Sequence, residues 1–313
     1  MRLRGLVQSR CRLSNRNNLI PYRLINDFGY QRLMVFHRYF TLVFLQVLFL
    51  WGCSNINEIK GVFTPPFWND YDPTSNLFVD HTSWGYLLNK HVQLKTDGTT
   101  VIAYANFSQP DRQALENYIQ SLASFPIEKL NRKEQYAFWL NLYNALVVRL
   151  VLENYLILSI ADIKSNDNLL KKGPFNQKLI SIKGWPLSLS FIRKKILSSL
   201  FLDPRFHYGL CDAAVGSPRL QRHPYTGDKV DRMLDEAALE YINHSRALRF
   251  KEGNVLVLSA LYEKYPQQFG HTTAEILQHI RHYAMDHVKK KLSSVAQVTF
   301  DFDWSLNDGI KLK

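Results

Sequence analysis

The chain has 313 residues and a formal net charge of +12, but residues 1–52 hold eight arginines and one aspartate, so +7 of that charge lies there. The remaining +5 is spread over about 260 residues, which is an ordinary balance. A strongly basic surface is therefore not indicated, and we expect no nucleic-acid partner.

The first 33 residues are rich in arginine and have no clear place in a fold. We expect residues 1–33 to be a non-native extension, with translation starting at Met34. Residues 34–52 predict a secretory signal peptide, because Arg38 precedes an apolar run from Tyr39 to Trp51 and a small residue follows it. The run is shorter than the roughly 20 apolar residues that a membrane span needs.

The end of this signal, Leu50-Trp51-Gly52-Cys53, resembles the lipobox of bacterial lipoproteins. The resemblance implies cleavage before Cys53 and lipidation of its thiol. No aspartate follows the cysteine, so we expect a lipid-anchored protein of the bacterial outer membrane that faces the periplasm. The alternative is an uncleaved N-terminal anchor.

Residues 53–78 predict an extended tether, since they contain Pro65-Pro66 and Pro73 and show little periodicity. Residues 79–313 are long enough for one domain with a substantial core. Within that part Cys211 is the only cysteine, so neither an internal disulfide nor a cysteine zinc site is expected there. We interpret Cys211 as a small buried hydrophobe.

Three helices are predicted first in the domain. One lies in 80–92, capped by Asp80 or Thr82, and one in 108–125, capped by Ser108. The third, 131–155, has Asn131 as its cap with Glu134 three residues later, as in a capping box. Its interior is almost wholly apolar, which predicts burial on most sides.

The later part alternates helices and short strands. Helices are predicted from Ser188 and over 226–244 and 272–284, and strands over 204–213, on both sides of Glu252-Gly253, and over 296–304. The pattern predicts an α+β fold: a single, mainly helical domain with a small antiparallel or mixed sheet.

Several stretches together resemble domain-of-unknown-function family 547. They are EQYAFWLNLYNAL (134–146), DPRFHYGL (203–210), AAVGSPRL (213–220), LDEAALEYINH (234–244), LYEKYPQQFG (261–270) and DFDWSLND (301–308). The resemblance covers about residues 80–308, and members are often exported bacterial proteins.

This chain departs from the family pattern at three places. The family's Gly-Cys-Pro is here Gly-Ser-Pro with Ser217, its glutamate-histidine pair is here Arg193-Lys194, and an acid near the phenylalanine-glycine is replaced by Gln267-Gln268. A serine needs a well-placed base more than a cysteine does, because its hydroxyl is far less acidic. We therefore expect a non-catalytic binding or scaffold domain derived from a fold resembling that of cysteine enzymes, with an unknown envelope protein or a small ligand as its partner.

Two alternatives remain open. The first is a papain-like hydrolase or acyl transferase that uses Ser217 as nucleophile with His207 or Lys194 as base. The second is a purely structural partner of another envelope protein. If Ser217 is not a nucleophile, the glycine and proline beside it predict a turn in which its hydroxyl bonds to its own loop.

Further polar residues are candidates for a pocket. Asn141, Tyr143 and Asn144 lie on the apolar helix, and Arg205 alternates with His207 on the predicted strand. The two amides serve either a pocket or internal hydrogen bonding. His279 and His282 are spaced for one helix face and His287 follows them, but nothing in the sequence identifies a third metal ligand in a fixed place. Neither a metal nor another cofactor is therefore expected.

Overall fold

The computed structural model describes residues 68–164 and 173–309, and helices around a small hairpin come first. These elements are α1 (Thr82–His91), β1 (Val92–Leu94), β2 (Thr100–Ile102), α2 (Gln109–Ala123) and α3 (Arg132–Glu153). Ser108 caps α2 as predicted, since its hydroxyl accepts the N–H of Asp111 and the Asp111 carboxylate accepts the N–H of Ser108. The antiparallel β1–β2 hairpin was not predicted, because three-residue strands carry too little alternation to be detected.

Helix α3 forms the centre of the core. Every residue from Gln135 to Leu152 except Arg149 is buried, which confirms the prediction from its apolar interior. The Asn131 side chain accepts the N–H of Glu134 at 3.0 Å, so the predicted cap is present. The Glu134 carboxylate does not complete a capping box; it accepts the N–H of Gly227 at 3.0 Å and ties α3 to a distant loop.

The middle of the chain contains a hairpin and two short helices. The elements are β3 (Ile180–Ile182), β4 (Trp185–Leu187), α4 (Leu189–Phe191, continued by a π-helix over Ile192–Leu197 and a last turn over Ser198–Leu200) and α5 (Phe206–Gly209). Ser188 caps α4 through the N–H of Phe191. Helix α4 thus begins where the sequence predicted it.

The strand predicted over 204–213 is wrong. Phe206–Gly209 is a single helical turn, α5. The Asp203 carboxylate accepts the N–H of Arg205 at 2.9 Å, and Pro204 suits the start of a helix. This local start signal outweighs the alternation of apolar residues that predicted a strand.

The C-terminal part packs helices against a mixed sheet. Its elements are α6 (Val230–Ile242), β5 (Leu248–Lys251), β6 (Val255–Ser259), α7 (Ala260–Lys264), α8 (Pro266–Phe269), α9 (Thr273–Tyr283), α10 (Asp286–Leu292) and β7 (Gln297–Asp301). The sheet order is β5–β6–β7, with β5 antiparallel and β7 parallel to β6. The α+β prediction with a small mixed sheet is confirmed.

Two buried apolar clusters hold the described residues together, one around α3 and one between α6, α9 and the three-stranded sheet. In the part of the chain that the structure describes, no helix combines the length and apolarity required for a membrane crossing. The predicted signal peptide, Cys53 and most of the tether lie outside the described residues.

Candidate functional site

Ser217 lies in a buried loop and uses its hydroxyl inside that loop. Its Oγ donates to the carbonyl oxygen of Ala214 at 2.8 Å and accepts the N–H of Asp212 at 3.3 Å. The residue is 3% exposed. Since the hydroxyl proton is already donated to a backbone carbonyl, no base is positioned to remove it.

Residues 303–307, here called the C-terminal strap, cover this loop. The N–H groups of Val215 and Gly216 donate to the carbonyl oxygens of Ser305 and Asp303, each at 2.8 Å. A Cβ on Gly216 would lie 2.7 Å from the backbone nitrogen of Asp303. Glycine is therefore required at position 216 by the close approach of the strap.

Cys211 is the sulfur closest to this serine. Its Sγ lies 3.7 Å from Ser217 Oγ and accepts a hydrogen bond from Asn307 Nδ2 at 3.4 Å. Burial raises the pKa of the Cys211 thiol, which disfavours the reactive thiolate. The thiol is 2% exposed, as expected for a small buried side chain, but it also takes part in the polar contacts of the strap.

A buried ion pair joins the Ser217 loop to α4. Arg193 donates to Asp212 from both terminal nitrogens, Nη2 to Oδ1 at 2.6 Å and Nη1 to Oδ2 at 3.0 Å. The Tyr143 hydroxyl donates to Asp212 Oδ1 at 2.6 Å, and Arg193 also donates to the Tyr265 hydroxyl at 3.0 Å. Burial alone would lower the pKa of Arg193, but attraction to Asp212 and the two tyrosines raises it overall. Arg193 therefore stays charged.

His207 is buried among rings. Its imidazole lies 4.0 Å from the Phe206 ring, 4.4 Å from Tyr265 and 5.0 Å from Phe269, measured between centroids. Neither ring nitrogen has a hydrogen bond of normal geometry to a described residue, although contact with the Gln268 side chain acts to raise the pKa of His207. Burial, with a further contribution from Arg193, lowers the pKa of His207 well below its usual value, so the ring is neutral.

One cavity brings His207 and Lys194 together but does not include Ser217. This basic cavity has a volume of about 270 Å³, and its lining includes His207, Tyr265, Gln268 and three lysines, Lys194, Lys195 and Lys264. The Ser217 hydroxyl makes its hydrogen bonds within residues 211–218 and makes none to His207 or Lys194. The arrangement therefore does not assemble the predicted nucleophile and base.

The two asparagines of α3 act as internal staples. Asn141 donates to the carbonyl oxygen of Tyr225 at 2.8 Å and accepts the N–H of the same residue at 3.0 Å. Asn144 donates to Gly209 and accepts the N–H of Cys211, each at 2.9 Å. Their amides bond to the backbone of 209–225, and Asn141 also contacts His81 Nε2 at 3.2 Å, which leaves them little capacity to bind a ligand.

Arg205 does not lie on a strand, because the strand expected over 204–213 does not form. It precedes α5 and pairs with Asp203 (2.8 Å), Asp235 (2.9 Å) and Asp231 (3.2 Å). Attraction to Asp203 and Asp235 outweighs burial and raises the pKa of Arg205. The guanidinium links α5 to α6 and does not line the basic cavity.

The three C-terminal histidines do not form a metal site. His279 Nε2 lies 2.8 Å from the Tyr208 hydroxyl, and burial lowers the pKa of His279 to about 4. His282 and His287 are exposed. No group of three or more His, Cys, Asp or Glu side chains suited to a metal ion occurs among residues 68–164 and 173–309.

Sequence reasoning missed Asp212, Tyr265 and Gln268, which organise the buried polar contacts. Asp212 could have been considered, since it lies between Cys211 and Ser217 in an otherwise apolar stretch. The other two belong to the stretch LYEKYPQQFG, whose glutamines we considered only as replacements of an acid. Their meeting with α4 depends on tertiary packing, which has no local signal.

Comparison with known families gives one match. The family model described as "Protein of unknown function, DUF547" matches residues 127–242. The match contains α3, Arg193, His207 and Ser217, and it confirms the predicted resemblance over these residues. No curated protein and no solved structure matches the chain.

Proposed function

Since residues 127–242 match the DUF547 family model, which describes proteins of unknown function, we propose that this chain is a non-catalytic binding domain in which Ser217 is a structural residue. The observation that carries the proposal is the 2.8 Å hydrogen bond from the Ser217 hydroxyl to the Ala214 carbonyl oxygen. A serine nucleophile instead donates to a base, which takes its proton during attack.

The surroundings of Ser217 support the same proposal. Ser217 is buried and the strap is hydrogen-bonded to the two residues before it, so a substrate carbonyl could reach Oγ only after this part of the chain rearranged. The other polar groups nearby, Arg193 and Asp212, are bonded to each other, and an arginine is not a general base.

A fluorophosphonate probe tests the proposal, because it labels only activated serines. We expect no adduct on the peptide containing Ser217 when the purified full-length protein is treated and digested for mass spectrometry. A serine hydrolase added to the same sample serves as the positive control. Labelling of Ser217 that disappears in Ser217→Ala would instead establish the hydrolase or acyl-transferase alternative.

We further propose that the domain is held at the periplasmic face of the outer membrane by lipid on Cys53. The support is the sequence of residues 34–53, a short apolar run ending in a cysteine. Mass spectrometry of membrane extracts tests this. The expected N-terminal peptide begins at an acylated Cys53, and an intact Tyr39–Trp51 segment in the protein would overturn the proposal.

A further inference from the structure

We propose that the basic cavity binds the phosphate group of a small phosphate monoester. The inference rests on the proposed function, since it names the ligand class of a domain that binds and does not cleave. It comes from three features of the cavity: the positive charge of its lining, a buried imidazole without a well-formed hydrogen bond, and the π-helical turn that carries two of its lysines.

The cavity has an excess of positive charge with nothing to balance it. None of its lining residues is Asp or Glu. Lys194, Lys195 and Lys264 form no ion pair with any acid in the described part of the chain, whereas the Arg193 charge is already matched by Asp212. Three lysines line this cavity, and the Lys264 Nζ also lies over the Tyr265 ring, 5.6 Å from its centroid. Such a lining favours an anion, and lysine binds phosphate as a point charge.

His207 provides the second feature. It is 1% exposed, and both of its ring nitrogens lack a hydrogen bond of normal geometry to the described residues. A buried polar group without a well-formed hydrogen bond is destabilising. A ligand oxygen in the cavity would accept the N–H of the neutral imidazole, so an occupant with acceptor atoms would satisfy this buried ring.

The third feature is the π-helical turn Ile192–Leu197. Turns of this kind are rare and occur frequently at functional sites. This one carries Arg193, Lys194 and Lys195 in succession, with Arg193 turned inward to Asp212 and the two lysines exposed at the cavity. The turn thereby directs Arg193 into the core and leaves Lys194 and Lys195 available to bind a ligand.

The dimensions and walls restrict the ligand to a small molecule. About 270 Å³ is slightly below the usual range of sites for drug-sized ligands, about 300–1,000 Å³. Phe206 and Tyr265 offer ring surface, and Gln268 and Ser198 bond to each other at 2.7 Å at the polar side. A phosphate with a short organic group matches this combination.

Calorimetric titration of the purified full-length protein with glycerol 3-phosphate tests the proposal. We expect saturable binding that weakens at least about tenfold in Lys194→Gln/Lys195→Gln/Lys264→Gln, because three point charges are removed from the site. The matched control is Lys289→Gln/Lys290→Gln/Lys291→Gln, which removes the same charge from exposed positions of α10. Its affinity should stay within about twofold of the parent protein, since distant surface charges are screened by salt.

His207→Phe tests whether binding requires the imidazole nitrogens in addition to the positive charge of the lysines. It keeps a ring of similar size but removes both nitrogens, so affinity should fall while the far-ultraviolet circular dichroism stays unchanged. Vesicles containing phosphatidic acid distinguish a lipid headgroup from a free monoester as the source, and binding to either must be lost in the triple lysine variant.

Three results would overturn the proposal: no saturable binding of glycerol 3-phosphate or phosphatidic acid, equal weakening in the α10 control, or tighter binding of malonate than of the phosphate probe. These results are independent of the fluorophosphonate experiment. Labelled Ser217 with intact phosphate binding would refute the proposed function alone, and an unlabelled Ser217 without binding would refute the ligand assignment alone.

Discussion

The Ser217 hydroxyl donates to the Ala214 carbonyl oxygen at 2.8 Å, three residues earlier in the same loop. This hydrogen bond closes the loop on itself beneath the C-terminal strap. The serine that stands where the family resemblance implies a cysteine is therefore used to shape the backbone. Its reactivity depends on how firmly this hydrogen bond is held.

The substitution Ser217→Cys should produce an unreactive thiol. The side chain would stay buried beside Cys211 and would have no cation in contact to stabilise a thiolate. We expect it to react with iodoacetamide more slowly than free cysteine, as followed by peptide-resolved mass spectrometry. Reaction faster than free cysteine would show that the loop still activates a sulfur.

The substitution Arg193→Met should destabilise the protein by about 3–5 kcal/mol, because it leaves the Asp212 carboxylate buried without its cation. Urea denaturation measures the free energy of unfolding. The control is Arg232→Met, whose exposed partner Glu236 lies 3.6 Å away and whose loss should cost under about 1 kcal/mol. Adding Asp212→Asn to Arg193→Met should recover part of the loss. Equal effects of the two arginine substitutions would contradict this account of the buried pair.

The substitution Gly216→Ala should destabilise the strap. The new Cβ would lie 2.7 Å from the Asp303 nitrogen and 3.0 Å from its carbonyl oxygen, so the backbone must move, at a cost of about 1–3 kcal/mol. Thermal unfolding is the measurement. Val215→Ala, in the same loop but with an exposed side chain, should cost less than about 1 kcal/mol. If Gly216→Ala is as stable as this control, the strap does not pack against the loop.

The free energy of unfolding should fall as the pH is lowered from 7 to 5. Burial lowers the pKa of His81 to about 4, despite the attraction of Asp80, which raises it. Asn141 donates to His81 Nε2 at 3.2 Å, which leaves Nδ1 to donate to the Tyr118 hydroxyl at 2.7 Å, so the neutral ring satisfies both contacts.

The direction follows from proton binding. Below about pH 6.5 the unfolded chain protonates His81 while the folded chain does not, so stability is present above that pH and is lost as the pH falls toward 4. From this residue we expect a loss of about 2 kcal/mol between pH 7 and pH 5. His207 and His279, whose pKa values are also lowered by burial, act in the same direction.

Urea denaturation at the two pH values tests this prediction. His81→Gln should show a smaller pH dependence, by about 2 kcal/mol, whereas exposed His287→Gln should behave like the parent protein. An unchanged pH dependence in His81→Gln would contradict a neutral buried imidazole.

The helical part of the fold was predictable because its signals are local. The Ser108, Asn131 and Ser188 side chains cap the helices that they precede, and the apolar run of α3 predicted its burial. The strands β5, β6 and β7 also lie where alternation placed them. The hairpins β1–β2 and β3–β4 were missed because each strand has only three residues.

The candidate site was predictable only in part. The glycine-serine-proline stretch predicted a turn with an internal hydrogen bond, and Ser217 makes that bond. Nothing local shows that Arg193 is turned inward to Asp212 while Lys194 and Lys195 are exposed, since this depends on the π-helical turn. Likewise, the C-terminal strap reaches Gly216 from nearly 90 residues away in sequence, a contact that only the folded chain reveals.

The measurement that tests the central claim most directly is turnover of ester and peptide substrates by the purified full-length protein beside its Ser217→Ala variant. We predict that any rate above buffer is the same for both proteins, because the hydroxyl is bonded to Ala214 and has no base. Turnover that is lost in Ser217→Ala, while the variant keeps the unfolding transition of the parent protein, would contradict the account.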